Sequence, residues 1–324
     1  MAETLTRRRR IGDQAVMPGS PAPDVDPRYV AARRVLLNAL EGLAPHRRAI
    51  VVVGAQAIYL QTGSTDIDLG LAPYTTDGDL AVNPSLLGDA PQLESAMGSR
   101  IHLNSQPGGH IEPGIWVAST HAGDEQILVP VDLIVPDGVA PSGGRRGARL
   151  GGHGKRAARR SVGLEAALID NSTMHLAALE EGDTRVVEAL VAAPAALFIA
   201  KAHKISERVA SGKVDRVSDK DAADVVRLMQ ASSAAEVGAS LAALRSSEVA
   251  GEVADAAVGN MSELFGRRGR PGVQMATRAM RLAMPAERVE VLILSYAQSS
   301  LPPPAPSDMS PTGWHSAPAL SAGV

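Results

Sequence analysis

The sequence predicts an α/β (α+β) chain, with a mixed sheet and its helices followed by a helical C-terminal domain. The first half alternates short β-branched apolar runs with stretches whose apolar residues recur at helical spacing. Strand signals stop near residue 190, and beyond it only the helical period continues. With 45% hydrophobic but only 2% aromatic residues, the core must be built from Ala, Val, Leu and Ile.

Taken in order, residues 1–26 mix Arg7 to Arg10 with Pro and Gly and read as a disordered segment. A helix is expected over 27–43, where Val30, Val35, Leu36, Leu40 and Leu43 share a face. Ile50-Val51-Val52-Val53 is a short buried strand ending at Gly54, and Ala55 to Gln61 start a helix. Strands follow at 79–82, 114–119, 126–135 and 163–169. Pro194 opens a helix that runs to Ala210, at a position where its missing N–H costs nothing. Further helices are expected at 218–231, 234–246, 247–265, 272–283 and 286–299. From residue 301 the chain is rich in Pro and Ser and reads as a disordered tail. The folded part thus divides into a sheet-bearing domain over 27–190 and a helical domain over 191–300.

The absence of cysteine excludes disulfides, thiolate metal sites and a cysteine nucleophile. No run approaches the ~20 apolar residues of a membrane helix. The N-terminal arginines have no apolar stretch behind them, so a secretory signal is not expected and the cytoplasm is the expected location. Net charge is only −3, but it is uneven. Arg145, Arg146, Arg149, Lys155, Arg156, Arg159 and Arg160, with His153, fall in one acid-free segment. That segment reads either as a contact for nucleic-acid phosphates or as a loose loop interrupted by glycines.

The chemistry concentrates in Thr75-Thr76-Asp77-Gly78-Asp79-Leu80-Ala81-Val82. Residues i and i+2 of a strand point the same way, so Asp77 and Asp79 offer their oxygens to one hard divalent cation. Asp132 sits at the centre of Ile127 to Val135, where a lone carboxylate is costly unless something cationic meets it. Two acids plus one on a neighbouring strand make the acidic triad of a two-metal phosphoryl-transfer site. The plainer alternative is a pair of aspartates capping a turn. Lys201, Lys204 and Arg208 fall on nearly one helical face, as a phosphate grip or a solvated stripe. Asp221 and Asp224, three residues apart, share a face and either orient Lys201, bind the metal site's outer shell, or are surface acids paired to Lys220 and Arg227.

A strand ending in a glycine turn (Val53-Gly54-Ala55), then a helix, then Asp77-x-Asp79, then a lone strand Asp132 resembles the minimal nucleotidyltransferase fold. Lys201 with Arg208, followed by Lys220-Asp221-Ala222-Ala223-Asp224-Val225, resembles its AbiEii-like branch, the toxins of type IV toxin–antitoxin systems. The resemblance covers residues 48–228. It implies transfer of a nucleoside monophosphate from an NTP to an acceptor hydroxyl, with a tRNA 3′ end as acceptor and an antitoxin protein as partner. It further implies Mg²⁺ held by Asp77, Asp79 and Asp132, with Asp132 alternatively the base that deprotonates the acceptor. Gly54, Ala55, Lys201, Lys204 and Arg208 would then hold the nucleotide, and Asp221 would support catalysis. The chain departs from the family in two places. Gly54-Ala55 stands where Gly-Gly or Gly-Ser is usual, and the gap from Gly54 to Asp77 is long. Asp66-Ile67-Asp68 lies at the more usual spacing, but Gly70 and Pro73 follow it, which favours Asp77 and Asp79. The rival is a catalytically silent protein of the same fold that binds nucleic acid or a partner.

Overall fold

A computed structural model describes residues 25–63, 74–98, 100–105, 109–143, 146–212 and 219–301. The expected disordered ends, apart from Val25, Asp26 and Leu301, lie outside the described residues, as do Asp66, Asp68 and Arg145.

Helix α1 (Pro27–Gly42) begins where Asp26 accepts a hydrogen bond from the Arg28 amide at 2.7 Å, with Pro27 at the first helical position. Strand β1 (Ile50–Val53) is buried throughout and runs directly into α2 (Gly54–Thr62). Strand β2 (Gly78–Val82) follows, then the short α3 (Leu93–Met97) and β3 (His102–Ser105). The hairpin of β4 (Ile111–Ala122) and β5 (Glu125–Pro136) leads through the basic segment to β6 (Arg159–Ser161). A second antiparallel pair, β7 (Asn171–Ala177) and β8 (Val186–Ala192), completes the sheet.

The strand order is β3-β4-β5-β2-β1-β8-β7, with β6 also pairing β5. The sheet is mixed: β1 runs antiparallel to β2 and parallel to β8, while β2 and β5 are parallel. Helix α1 covers one face, where a Cβ on Gly78 would stand 3.3 Å from Leu36 of that helix. Side chains alternate along β2, so Asp79 points to the opposite face. That face carries α2 and the helical half of the chain.

The helical half comprises α4 (Pro194–Ala210), α5 (Asp219–Ala231), α6 (Ala234–Arg245), α7 (Gly251–Phe265), α8 (Pro271–Met280) and α9 (Ala286–Ser300). Helix α2 packs on α4 and α5, which joins the two halves through one continuous apolar core. Aromatic side chains are few, but Trp116, Phe198 and Phe265 are all buried in it. None of the helices is long and apolar enough to cross a membrane among the described residues.

The strand expected at 163–169 is not one. Glu165–Leu168 forms a 3₁₀ turn. The buried Glu165 carboxylate sets it, accepting the Gly138 amide through Oε1 and the Gly163 amide through Oε2, each at 2.9 Å. The strand comes later, as β7, and the sheet continues through β8 to Ala192, just past the boundary expected near 190.

Candidate active site

Sheet register builds the site. Val53, Asp79 and Asp132 are successive partners across β1, β2 and β5. Adjacent strands lie about 4.8 Å apart, and partners in register point to the same face. The two acids from separate strands therefore stand side by side. Val53 is also the residue before α2, so the start of that helix stands at the same level. No side chain caps it, and its first amides have no acceptor within the helix. Gly54 has φ +68°, and a Cβ there would be 2.1 Å from Asp79 Oδ2. Only glycine lets the helix start so close to that carboxylate.

Asp79 and Asp132 sense the charges around them. Loss of water around Asp79 raises its pKa, the charges of Asp77 and Asp132 add to this, and Lys204 and Arg159 offset only part. The result is a carboxyl pushed up to about 7. Part of Asp79 nevertheless remains accessible from solvent. Asp132 is raised too, chiefly by burial, with Arg159 opposing and Asp77 adding. Asp77 accepts the Thr75 hydroxyl through Oδ1, and the Gln56 side chain donates to its carbonyl. Arg159 donates twice to Asp132 Oδ2, from Nε at 3.1 Å and Nη2 at 2.7 Å. Among the described residues, no group of three or more His, Cys, Asp or Glu is arranged to hold a metal ion. Asp77 and Asp79 have the hard oxygen donors that suit Mg²⁺, whereas Asp132 already has a cation.

A second charged group lies on α4 and α5. The Lys201 ammonium donates to Asp221 Oδ1 and Asp224 Oδ2, both at 2.7 Å. All three residues are buried, at 5%, 3% and 3% exposure. Burial alone would lower the Lys201 pKa, but the charges of Asp224 and Asp221 outweigh it and hold the ammonium above its ordinary value. Asp221 is held well below the carboxylate range, since Lys201, Lys204 and Arg208 outweigh its burial. Lys204 and Arg208 reach Asp221 from the solvent side, and Lys220 reaches Asp224 at 3.6 Å. Lys204 links the two groups, standing 3.2 Å from Asp221 while its charge reaches Asp79 and Asp132.

Asp77, Asp79 and Asp132 come together with Gly54 and Ala55 at one end of the sheet. Lys201 does not present its ammonium as a free grip, because both acids of α5 hold it. Lys204 and Arg208 are the partly exposed cations of that face. Sequence alone places Arg159 only within a basic segment, yet it touches the acidic cluster directly.

No family model matches this chain, and neither does any curated protein or solved structure.

The basic segment is held against the sheet. Gly147 bridges Arg159, the Gly114 amide donates to the Arg156 carbonyl, and Trp116 Nε1 donates to the Ala157 carbonyl at 2.9 Å. Arg159 and Arg160 pair with Asp132 and Asp137. Arg146, Arg149, Lys155 and Arg156 are exposed and form no ion pair with any described residue. The described part of the segment is therefore pinned by its backbone rather than loose, and Arg159 is its cation against the acids.

Proposed function

We propose that the chain is a Mg²⁺-dependent nucleotidyltransferase resembling AbiEii-type toxins. The observation that carries this is the row of Val53, Asp79 and Asp132, with the uncapped start of α2 against it. Clustered carboxylates beside a glycine-led helix start combine a cation site with a phosphate site. A bound Mg²⁺ would neutralise the charge that develops on the transferring phosphate and on the departing pyrophosphate.

In this reading Asp77 and Asp79 hold the cation, and the α2 amides at Gly54 and Ala55 hold phosphate oxygens of the NTP. Ala55 lacks the hydroxyl of the Gly-Ser turn, so backbone donors do this work alone. Lys204 and Arg208 balance the triphosphate and the pyrophosphate. Lys201 is a positioning residue that fixes α4 to α5 through Asp221 and Asp224, so that both outer cations face the cleft. The acceptor oxygen attacks the α-phosphorus as the bond to pyrophosphate breaks. Asp132, whose Oδ1 is not taken by Arg159, receives the acceptor's proton. Arg146, Arg149, Lys155 and Arg156 would guide a nucleic-acid acceptor such as a tRNA 3′ end. A protein antitoxin is the corresponding regulatory partner.

The competing reading, a silent nucleic-acid-binding protein, draws on the Gly54-Ala55 turn and on the commitment of Asp132 to Arg159. Incubating the full chain with α-labelled NTPs, Mg²⁺, total RNA and a protein extract separates them. Label in RNA supports the proposal, and label in protein or a small molecule moves the acceptor. RNA binding without label in any acceptor supports the silent reading.

A further inference from the structure

We infer that Arg159 is the built-in counter-cation of Asp132, so that the acidic cluster takes a single divalent ion at Asp77 and Asp79. The inference rests on the metal-dependent reading above and departs from the two-metal site that the sequence leads one to expect. Both hydrogen bonds from Arg159 converge on one oxygen, Oδ2, with the two side chains 31% and 19% exposed. A guanidinium held in this way is not easily displaced, because withdrawing it strands a partly buried carboxylate beside two others.

The tether is short on every side. Arg159 lies in β6, in register with Ile134 of β5, and Gly147 bridges it from the other edge. Gly114 packs so closely that a Cβ there would be 2.2 Å from the Arg159 amide nitrogen. The backbone beneath the guanidinium therefore has little room to retreat. Asp77 and Asp79 contrast with this, for neither forms an ion pair with a described residue. Lys204, whose charge also reaches Asp79, is committed to Asp221. Charge balance agrees. Before any nucleotide binds, the arginine and one divalent ion together neutralise the three carboxylates, whereas two ions would leave an excess of two positive charges.

The test is the number of Mn²⁺ ions bound by the full chain in the presence of a non-hydrolysable NTP, counted by calorimetry and by the signal of free Mn²⁺. The expected result is one ion in the wild type and a second in Arg159→Gln, whose Asp132 is released. Asp132→Asn should bind its single ion within about threefold of the wild-type affinity. This second variant decides the matter should Arg159→Gln fail to fold. Two ions in the wild type, an unchanged count in folded Arg159→Gln, or a tenfold loss of affinity in Asp132→Asn would overturn the inference and leave the nucleotidyltransferase reading standing. No bound ion in any variant would overturn both.

Discussion

Gly54 lies against Asp79 so closely that one added carbon would stand 2.1 Å from the carboxylate oxygen Oδ2. Two adjacent strands and the helix that follows the first are thereby locked to one geometry. Gly54→Ala must carry an unfavourable positive φ, costing about 1–2 kcal/mol, and must also push Asp79 aside. Gly98 has φ +75° with nothing within 4 Å of a Cβ, so Gly98→Ala isolates the backbone cost. The expected result is a larger fall in thermal midpoint for Gly54→Ala than for Gly98→Ala. Only Gly54→Ala should also weaken Mn²⁺ binding.

Asp79 sets a pH dependence. Its folded pKa, about 7, stands above the ordinary 3.8, so the folded chain binds the proton more tightly than the unfolded chain. Its ionisation therefore destabilises the fold progressively as pH rises from about 4 to 7, and fully above that. Asp79→Asn should raise the thermal midpoint at pH 8 by at least about 2 °C, on a scale of roughly 2–4 °C per kcal/mol, and change it little at pH 4. Divalent-ion affinity needs the ionised form, so it should fall by up to about tenfold per pH unit below 7. Calorimetry across pH 5.5–8 reads both.

The Lys201 network runs in the other direction. Asp221 is depressed and Lys201 raised, so the network's stabilisation is complete between the ordinary carboxylate and lysine values. It is lost as pH falls well below 4 or climbs well above 10. Removing the buried ammonium in Lys201→Met should cost about 3–5 kcal/mol. Lys204→Ala, at a partly exposed site, should cost at most about 1 kcal/mol yet weaken NTP binding. Chemical denaturation and nucleotide titration distinguish a positioning residue from a binding one.

The four exposed cations of the basic segment make a salt prediction. Every phosphate that loses its cation should flatten the dependence of log affinity on log salt by about 0.7 for single-stranded nucleic acid. Replacing Arg146, Arg149, Lys155 and Arg156 by Gln should therefore reduce the slope in filter-binding assays while leaving Mn²⁺ binding intact. An unchanged slope would place the nucleic-acid surface elsewhere.

Much of this geometry is legible in the chain. Strand β1 is apolar at every position because both faces are covered, and the acids of β2 and β5 stand out against apolar neighbours. The three-residue spacing of Asp221 and Asp224 places both on one face, where Lys201 meets them. Strand β7 is not legible. It is an edge strand with Asn171, Ser172, Thr173 and His175, so it lacks the apolar run that marks β1. The role of Arg159 is hidden for a different reason. Its meeting with Asp132 depends on the parallel pairing of β5 and β6 across a long connection, and no local pattern encodes that pairing. The 163–169 segment misleads because Leu164, Leu168 and Ile169 look strand-like, while Glu165 ties the turn from within.

The most direct measurement is pyrophosphate release by the full chain with Mg²⁺, each NTP and total RNA, set beside Asp79→Asn. The account expects pyrophosphate formed in equal amount to nucleotide attached to an acceptor, and a loss of at least about a hundredfold in the variant. Pyrophosphate release that survives unchanged in a folded Asp79→Asn, or its absence with every NTP and acceptor, would contradict it.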